Sequence, residues 1–146
     1  MPSQIIFLGT AGDSFVLSKQ ERLAGGIIIQ AENTQIHLNP GPGALVAATI
    51  ARIDLRKTSA IIVTDNTLLH SHDANAIIDI MTCGCFDTKG ILLAAKTALT
   101  QENQETIPRI AKEYQNAVER IIPLQEETRI NYNDVQIEAL KIKNTD

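Results

Sequence analysis

The 146-residue chain lacks tryptophan, and aromatic residues make up only 3% of it. Hydrophobic residues nevertheless reach 44% and charged residues 21%, a composition typical of a globular protein and unlike that of a disordered one. Its core must therefore be built from Ile, Leu, Val and Ala. A chain of this length fits one domain, and we expect residues 1–146 to form a single one.

Long apolar runs and an excess of positive charge are also missing. No apolar stretch approaches the roughly 18 residues of a membrane span, and the N-terminus has no secretory signal pattern, so we expect a cytoplasmic protein. The net charge of −4 and the pI near 5.3 argue against a protein that neutralises nucleic-acid phosphates. Neither nucleic acid nor membrane is therefore an expected partner.

Cysteine is scarce, and the two cysteines, Cys83 and Cys85, are nearly adjacent. They lie too close in sequence to link distant parts of a fold, and they suit a reducing compartment. A Cys-x-Cys pair could supply two thiolates to a soft metal. A structural zinc site needs four ligands, however, and no second cysteine pair exists, so we do not expect one here.

The hydrophobic pattern predicts an α/β fold, or α+β by some schemes, with a mixed β-sheet and flanking helices. Within the hairpin at residues 27–39, His37 alternates with apolar neighbours, so its side chain is predicted to face solvent. Asp73 is a candidate N-cap for the helix that follows it. Strands are predicted at residues 5–8, 27–29, 35–39, 60–63, 91–95, 129–132 and 135–142, and helices at 44–53, 74–81 and 106–122.

Residues 63–75, Val-Thr-Asp-Asn-Thr-Leu-Leu-His-Ser-His-Asp-Ala-Asn, hold the candidate chemistry. Asp65, His70, His72 and Asp73 could bind zinc or another divalent cation, and three protein ligands plus a water form a hydrolytic centre. In the alternative, Asp73 caps a helix, His72 is solvated, and His70 donates a hydrogen bond in a polar loop. The spacing does not decide, because residues two apart in an extended segment point to opposite sides.

Several segments together resemble the metallo-β-lactamase fold family, in their order and in their approximate spacing. They are Ile-Ile-Phe-Leu-Gly-Thr-Ala-Gly at 5–12, Gly-Gly-Ile-Ile-Ile-Gln at 25–30, Ile-His-Leu-Asn-Pro-Gly-Pro-Gly-Ala-Leu at 36–45, Ala-Ile-Ile-Val-Thr at 60–64 and Asp-Ala-Asn-Ala-Ile-Ile at 73–78. The resemblance covers nearly all of this chain but only about the first half of the family's domain. It therefore implies the first half of an αββα sandwich, truncated relative to the family.

The resemblance also implies an origin for the loop. In the family, the corresponding strand ends in Ser/Thr-His-x-His-x-Asp-His, which supplies ligands for one or two metals. Aligned from Thr64, this chain keeps only the last histidine, as His70. The other ligand positions carry different residues, namely Asp65, Thr67, Leu69 and, near the C-terminus, Asn144.

Two functions follow as expectations. The first is a non-catalytic relative with a degenerate metal site and no cofactor, acting as a subunit, a scaffold or a remnant. The second is a metal-dependent hydrolase whose site is rebuilt from Asp65, His70, His72 and Asp73 around zinc or another divalent metal. Half a sandwich would also leave one apolar sheet face uncovered, which is typical of an interface. We therefore expect a homo-oligomer, or a second chain that supplies the missing half.

Overall fold

The computed structural model describes residues 2–142, so the predicted ligand position Asn144 lies outside the described residues. None of the helices within this range is long and apolar enough to cross a membrane. A 3-10 turn, Leu55–Lys57, precedes the fourth strand. In chain order the elements are β1 (Gln4–Gly9), α1 (Ser14–Ser18), β2 (Ala24–Ala31), β3 (Thr34–Leu38), α2 (Ala44–Ile50), β4 (Ala60–Val63), α3 (Leu68–Ser71), α4 (Ala74–Met81), β5 (Ile91–Ala95), α5 (Lys96–Leu99), α6 (Lys112–Asn116), β6 (Arg120–Leu124), β7 (Arg129–Tyr132) and β8 (Val135–Glu138).

Strands β1 to β6 form one six-stranded sheet in sequence order. The first three strands pair antiparallel, and β3 to β6 pair parallel. The parallel strands alternate with helices, because parallel strands need a crossover connection, which is usually helical. The predicted α/β architecture, a mixed sheet flanked by helices, is confirmed.

The helices pack on one face of the sheet around an aliphatic core. Ile28, Ile61 and Leu92 belong to one row of register partners across neighbouring strands, and all three are fully buried. Ile77 and Ile78 of α4 join the same core. Each such side chain contributes about 1.5–3 kcal/mol when it is fully buried. The core thus fixes α4, and with it the end of the loop that holds the candidate site.

His37 lies in this row, between Ile28 and Ile61, and is fully buried. The prediction that it faces solvent was wrong, because strand alternation separates two faces but does not say that one of them is wet. Its Nε2 lies 2.8 Å from the Gly25 carbonyl oxygen, to which it donates. Its Nδ1 has no hydrogen-bond partner among the described residues.

The opposite face of the sheet is covered in part by the β7–β8 hairpin. Ile36, Ile62 and Leu93 are buried beneath it. The apolar face expected to be open is therefore covered in part, and among residues 2–142 it is exposed toward β1, where Ile5 is 62% and Phe7 is 64% exposed. The hairpin packs on the sheet through Ile130, Tyr132, Val135 and Ile137.

The predicted helix at residues 106–122 was wrong. Residues 101–111 form a loop, only Lys112–Asn116 is helical, and Arg120–Leu124 is the sixth strand of the sheet. The apolar side chains recur every three or four residues, but the end of this segment pairs in parallel with β5 instead, and Ile121 and Ile122 are half-buried there. Pro123 is tolerated in the strand because β6 is at the edge of the sheet.

The buried His37 ring makes stability depend on pH. Burial lowers its pKa from the ordinary value of 6.5, although the hydrogen bond to Gly25 and the charge of Asp73 oppose the shift. Near and below pH 6.5 the unfolded chain therefore binds a proton that the folded chain does not. The stability contributed by the neutral ring is fully present above this pH and is lost as the pH falls, with a slope of at most about 1.4 kcal/mol per pH unit.

We expect His37→Gln, which keeps an N–H donor but does not titrate, to flatten this dependence. The measurement is the free energy of unfolding in urea at about pH 7.5 and pH 5.5. Equal slopes for His37→Gln and the wild type would contradict the assignment.

Candidate functional site

The candidate site lies where the loop after β4 meets the end of β3. The carboxyl ends of parallel strands are the usual place for ligand sites in open α/β sheets. A cavity of about 160 Å³ is found here, and Gly26, Asn39, Leu69 and His70 contribute to its lining. The loop of interest leaves β4 after Val63, forms the short helix α3, and enters α4 at Ala74.

Asn39 and Thr64 tie the ends of β3 and β4 together. The Asn39 Oδ1 accepts a hydrogen bond of 2.9 Å from the Thr64 backbone N–H. The Asn39 Nδ2 donates one of 2.9 Å to the Thr64 hydroxyl oxygen. Asn39 has φ of 50°, a left-handed conformation that asparagine adopts more readily than most residues. The sequence reading missed this pair, and the only signal for it was an asparagine placed between a strand and Pro-Gly.

Gly41 lets the turn after β3 pack directly against α3. A Cβ at this position would lie 1.9 Å from the Leu69 carbonyl oxygen and 2.3 Å from the Ala24 carbonyl oxygen. Only a residue without a side chain therefore fits. This close backbone contact fixes the position of α3, and hence that of His70, which lies within it.

Asp65 and His70 form a closed pair within the loop. The His70 Nδ1 lies 2.6 Å from the Asp65 Oδ2, and the Thr67 backbone N–H donates to the Asp65 Oδ1 at 2.8 Å. Desolvation opposes ionisation of Asp65, but the hydrogen bonds from Thr67 and His70 outweigh it and lower the pKa of Asp65. The carboxylate therefore orients the imidazole ring, leaving the His70 Nε2 free of this contact.

His72 and Asp73 form a second, separate pair. The His72 Nδ1 lies 2.8 Å from the Asp73 Oδ1, and the His72 side chain is 54% exposed. The Asp73 Oδ2 accepts from the Leu45 backbone N–H at 3.3 Å. Asp73 thus occupies the N-cap position of α4, as predicted, but its side chain makes no capping bond there and instead accepts from the first turn of α2.

The loop does not gather its four candidate residues around one point. His70 belongs to α3 and His72 follows its last residue in helical conformation, so their side chains project about 200° apart. Thr67 is exposed at the start of α3, and Leu69 offers only carbon to the cavity. Within residues 2–142, no group of three or more His, Cys, Asp or Glu side chains is placed to hold a metal ion.

The contact at Gly41 gives a test of how the site is supported. Gly41→Ala should lower the free energy of unfolding by about 1–3 kcal/mol, since the new methyl group would force the turn and α3 apart. Gly12→Ala is the matched control, because a Cβ at Gly12 meets nothing within 4 Å. Urea unfolding of the two variants measures the difference. If both variants had wild-type stability, the turn would not support α3 as described.

No protein-family model matches the chain. The uncharacterized protein MJ1374 of Methanocaldococcus jannaschii is 25% identical to it over 146 residues, which are 100% of this chain and 54% of that protein. The chain therefore spans about half the length of this curated relative.

Two solved structures are similar to the chain. The metallo-beta-lactamase fold protein YhfI from Bacillus subtilis has a TM-score of 0.59 and 14% identity, over 90% of this chain and 50% of YhfI. A Thermotoga maritima protein assigned to the metallo-beta-lactamases has a TM-score of 0.53 and 11% identity, over 88% of this chain and 62% of that protein. At such low identity the similarity establishes a fold, and the resemblance inferred from the sequence is confirmed at that level. The chain has the metallo-β-lactamase fold over about half the length of YhfI.

Proposed function

We propose that this chain is a non-catalytic metallo-β-lactamase-like protein whose metal site is degenerate and which acts as a subunit or scaffold. The observation that carries the proposal is the pairing within the loop. Each of its two carboxylates is hydrogen-bonded to a different histidine, which gives two separate pairs, Asp65–His70 and His72–Asp73. Among residues 2–142, no third His, Cys, Asp or Glu side chain joins either pair to make a group that could hold a metal ion.

The residues present do not fit a zinc centre. Zinc in proteins is held by at least three side chains from Cys, His, Asp or Glu, with a water in any open position. At the aligned ligand positions, Thr67 offers a neutral hydroxyl and Leu69 offers no donor atom. His70 Nε2 would be the sole strong ligand while Asp65 stays hydrogen-bonded to Thr67 and His70. No cofactor is therefore part of the proposal.

The partner in this proposal is a second copy of the chain or a second polypeptide that covers the open part of the sheet. We define the open patch as Ile5 and Phe7 on β1 with the half-buried Ile27 on β2. These residues share the face on which the hairpin packs. A cavity of about 560 Å³ on the same face is lined by Leu38, Ile62, Leu124, Ile137 and Leu140, among others. Exposed apolar surface of this kind marks interaction sites.

A second candidate function is a metal-dependent hydrolase with a rebuilt site. The observation that favours it is the Asp65–His70 pair, because a histidine that binds a metal through one ring nitrogen commonly donates the N–H of the other to a carboxylate. His72 and Asp73 would then have to swing toward His70 when zinc or another divalent metal binds. The first proposal is preferred because it requires no such movement.

We propose the cytoplasm as the location. The two cysteines, Cys83 and Cys85, are exposed free thiols, which suit a reducing compartment. The acidic net charge of −4 agrees with a protein that does not act on nucleic acids.

Metal content separates the two candidate functions. Purified protein equilibrated with Zn²⁺ and then desalted should retain far less than one zinc per chain by elemental analysis, because the loop supplies too few ligands. His70→Ala combined with His72→Ala should leave that value unchanged. A stoichiometric metal content that the double variant abolishes would instead establish the rebuilt site.

A gain-of-binding variant is the positive control for this assay. Asp65→His, Thr67→His and Leu69→Asp together restore the family's motif ahead of His70. This triple variant should retain more zinc than the wild type, provided its far-UV circular dichroism shows that it is folded.

Self-association tests the proposed interface. Light scattering after size exclusion should give a mass above the 15.9 kDa of one chain. A second copy that covers the open patch removes its apolar side chains from water, which lowers the free energy. Ile5→Lys combined with Phe7→Glu should return the protein to a monomer. Phe86→Glu changes a phenylalanine that is 90% exposed outside the patch and should leave the mass unchanged. A wild-type protein that is a stable monomer would contradict self-association.

A further inference from the structure

A continuous apolar surface joins the open patch to the cavity beside the hairpin. One row of register partners crosses the sheet from β1 to β4, namely Phe7, Ile27, Leu38 and Ile62. Register partners project from the same face, and neighbouring strands lie about 4.8 Å apart. Phe7 and Ile27 belong to the open patch, whereas Leu38 and Ile62 line the cavity of about 560 Å³. The patch and the cavity are therefore parts of one surface.

Two further exposed apolar side chains lie at this cavity. Residues 139–142 continue from β8 without a turn or bend, so Leu140 and Ile142, two residues apart, project to the same side. Leu140 is 76% exposed although it contributes to the cavity wall, and Ile142 is 85% exposed. This Leu140–Ile142 pair is an apolar projection beside an apolar cavity.

A projection beside a cavity is self-complementary. In a dimer with two-fold symmetry both copies use the same surface, so the Leu140–Ile142 pair of each copy meets the cavity of the other. Pockets of about 300–1,000 Å³ accept drug-sized ligands, so a cavity of about 560 Å³ has room for two aliphatic side chains. One two-fold contact thus fills both cavities and covers both pairs.

The apolar area is close to what a stable dimer needs. A standard interface buries about 800 Å² on each partner, of which roughly 57%, or about 450 Å², is apolar. Four large side chains on this surface are 62–85% exposed, namely Ile5, Phe7, Leu140 and Ile142. Their burial removes roughly 170–350 Å² per copy from water. The apolar walls of the cavity add to this area, so the surface suffices for a second copy.

Charges at the rim of the cavity do not oppose such a contact. The Lys141 Nζ lies 3.6 Å from the Glu126 Oε2, and the two side chains are 70% and 58% exposed. Each copy therefore brings one cation and one carboxylate to the rim. Exposed ion pairs contribute little to stability, so Lys141 can exchange its own Glu126 for the Glu126 carboxylate of a second copy at little cost.

We propose that a second copy of this chain occupies this surface, and that the Leu140–Ile142 pair of each copy inserts into the cavity of the other. Ile5 and Phe7 extend the same contact toward the edge of the sheet. This inference rests on the proposed function, since it specifies the partner as a second copy and names the side chains that join the two copies.

Removing the projection tests the contact in the full chain. Leu140→Ser combined with Ile142→Ser should raise the dissociation constant of the dimer at least about 100-fold, because each copy loses two buried apolar side chains. Sedimentation velocity over a dilution series measures this constant. Both side chains are mostly exposed in one chain, so the far-UV circular dichroism should stay that of the wild type.

The matched control removes two exposed isoleucines outside this surface. Ile50→Ser combined with Ile107→Ser changes side chains that are 73% and 69% exposed, and it should leave the dissociation constant unchanged. A Leu140→Ser, Ile142→Ser protein that dimerises as tightly as the wild type would overturn the proposal.

A complementation test distinguishes mutual insertion from unspecific apolar association. Ala139→Trp narrows the cavity, which Ala139 lines, and should also weaken the dimer. The Leu140→Ser, Ile142→Ser protein keeps an open cavity, while the Ala139→Trp protein keeps the projection. Their mixture regains one of the two contacts, so the two variants should bind each other at least about 10-fold more tightly than either binds itself. Two folded variants that show no such preference would overturn mutual insertion.

The results also separate this inference from the proposed function. If Ile5→Lys with Phe7→Glu gives a monomer but Leu140→Ser with Ile142→Ser does not, the open patch is an interface and the insertion is wrong. A wild type that is monomeric at every concentration would overturn the second copy as the occupant. The degenerate metal site is judged independently, by metal content.

Discussion

The parallel pairing of β4 between β3 and β5 is the constraint on which the rest of the structure depends. All four residues of β4 are buried, so both faces of the sheet must be covered at this point. The helices cover one face and the β7–β8 hairpin covers the other. The same pairing sets the carboxyl ends of β3 and β4 side by side, where Asn39 and Thr64 join them. These hydrogen bonds therefore hold the base of the candidate site together.

Within the loop after β4, both carboxylates already have hydrogen-bond partners. Asp65 is hydrogen-bonded to His70 and to the Thr67 backbone N–H, while Asp73 is shared between His72 and the first turn of α2. A metal would have to compete with these contacts and would gain few ligands in return. Removing the contacts of Asp73 would also leave the Leu45 N–H without its acceptor. The hydrogen bonds that stabilise the loop thus oppose its use as a metal cage, which favours the structural role over the catalytic one.

Most of the fold could be predicted from the local pattern of apolar residues. The predictions failed where contacts with residues distant in sequence determine the secondary structure or the burial of a side chain. The strands at 60–63 and 91–95 and the helix at 74–81 match the observed β4, β5 and α4, because continuous apolar runs and helical spacing have few other solutions. The error at residues 106–122 arose because a sixth strand can be recognised only from its neighbour β5. The burial of His37 depended likewise on the helices, among them α4, that cover its face of the sheet.

The candidate site, too, could be predicted only in part from the sequence. A sequence alone could place Asp65, His70, His72 and Asp73 in one loop, and the resemblance to the family could indicate which positions differ from the family's ligands. It could not show that the four residues separate into two pairs, because that follows from the helical turn of α3. Nor could it show the Asn39–Thr64 contact, which joins residues 25 positions apart.

The geometry of β1 decides how a partner would bind. β1 is at the edge of the sheet, so another strand could pair with its backbone, but side chains stand perpendicular to a sheet. Edge pairing would therefore leave Ile5 and Phe7 in water. Docking on the face would bury them, and fully burying an aliphatic or aromatic side chain contributes about 1.5–3 kcal/mol. The hairpin already lies on that face, and two strands cannot span a six-stranded sheet. A partner that extends the hairpin layer toward β1 would bury the most apolar surface. We therefore expect association on the face of the sheet where the β7–β8 hairpin packs.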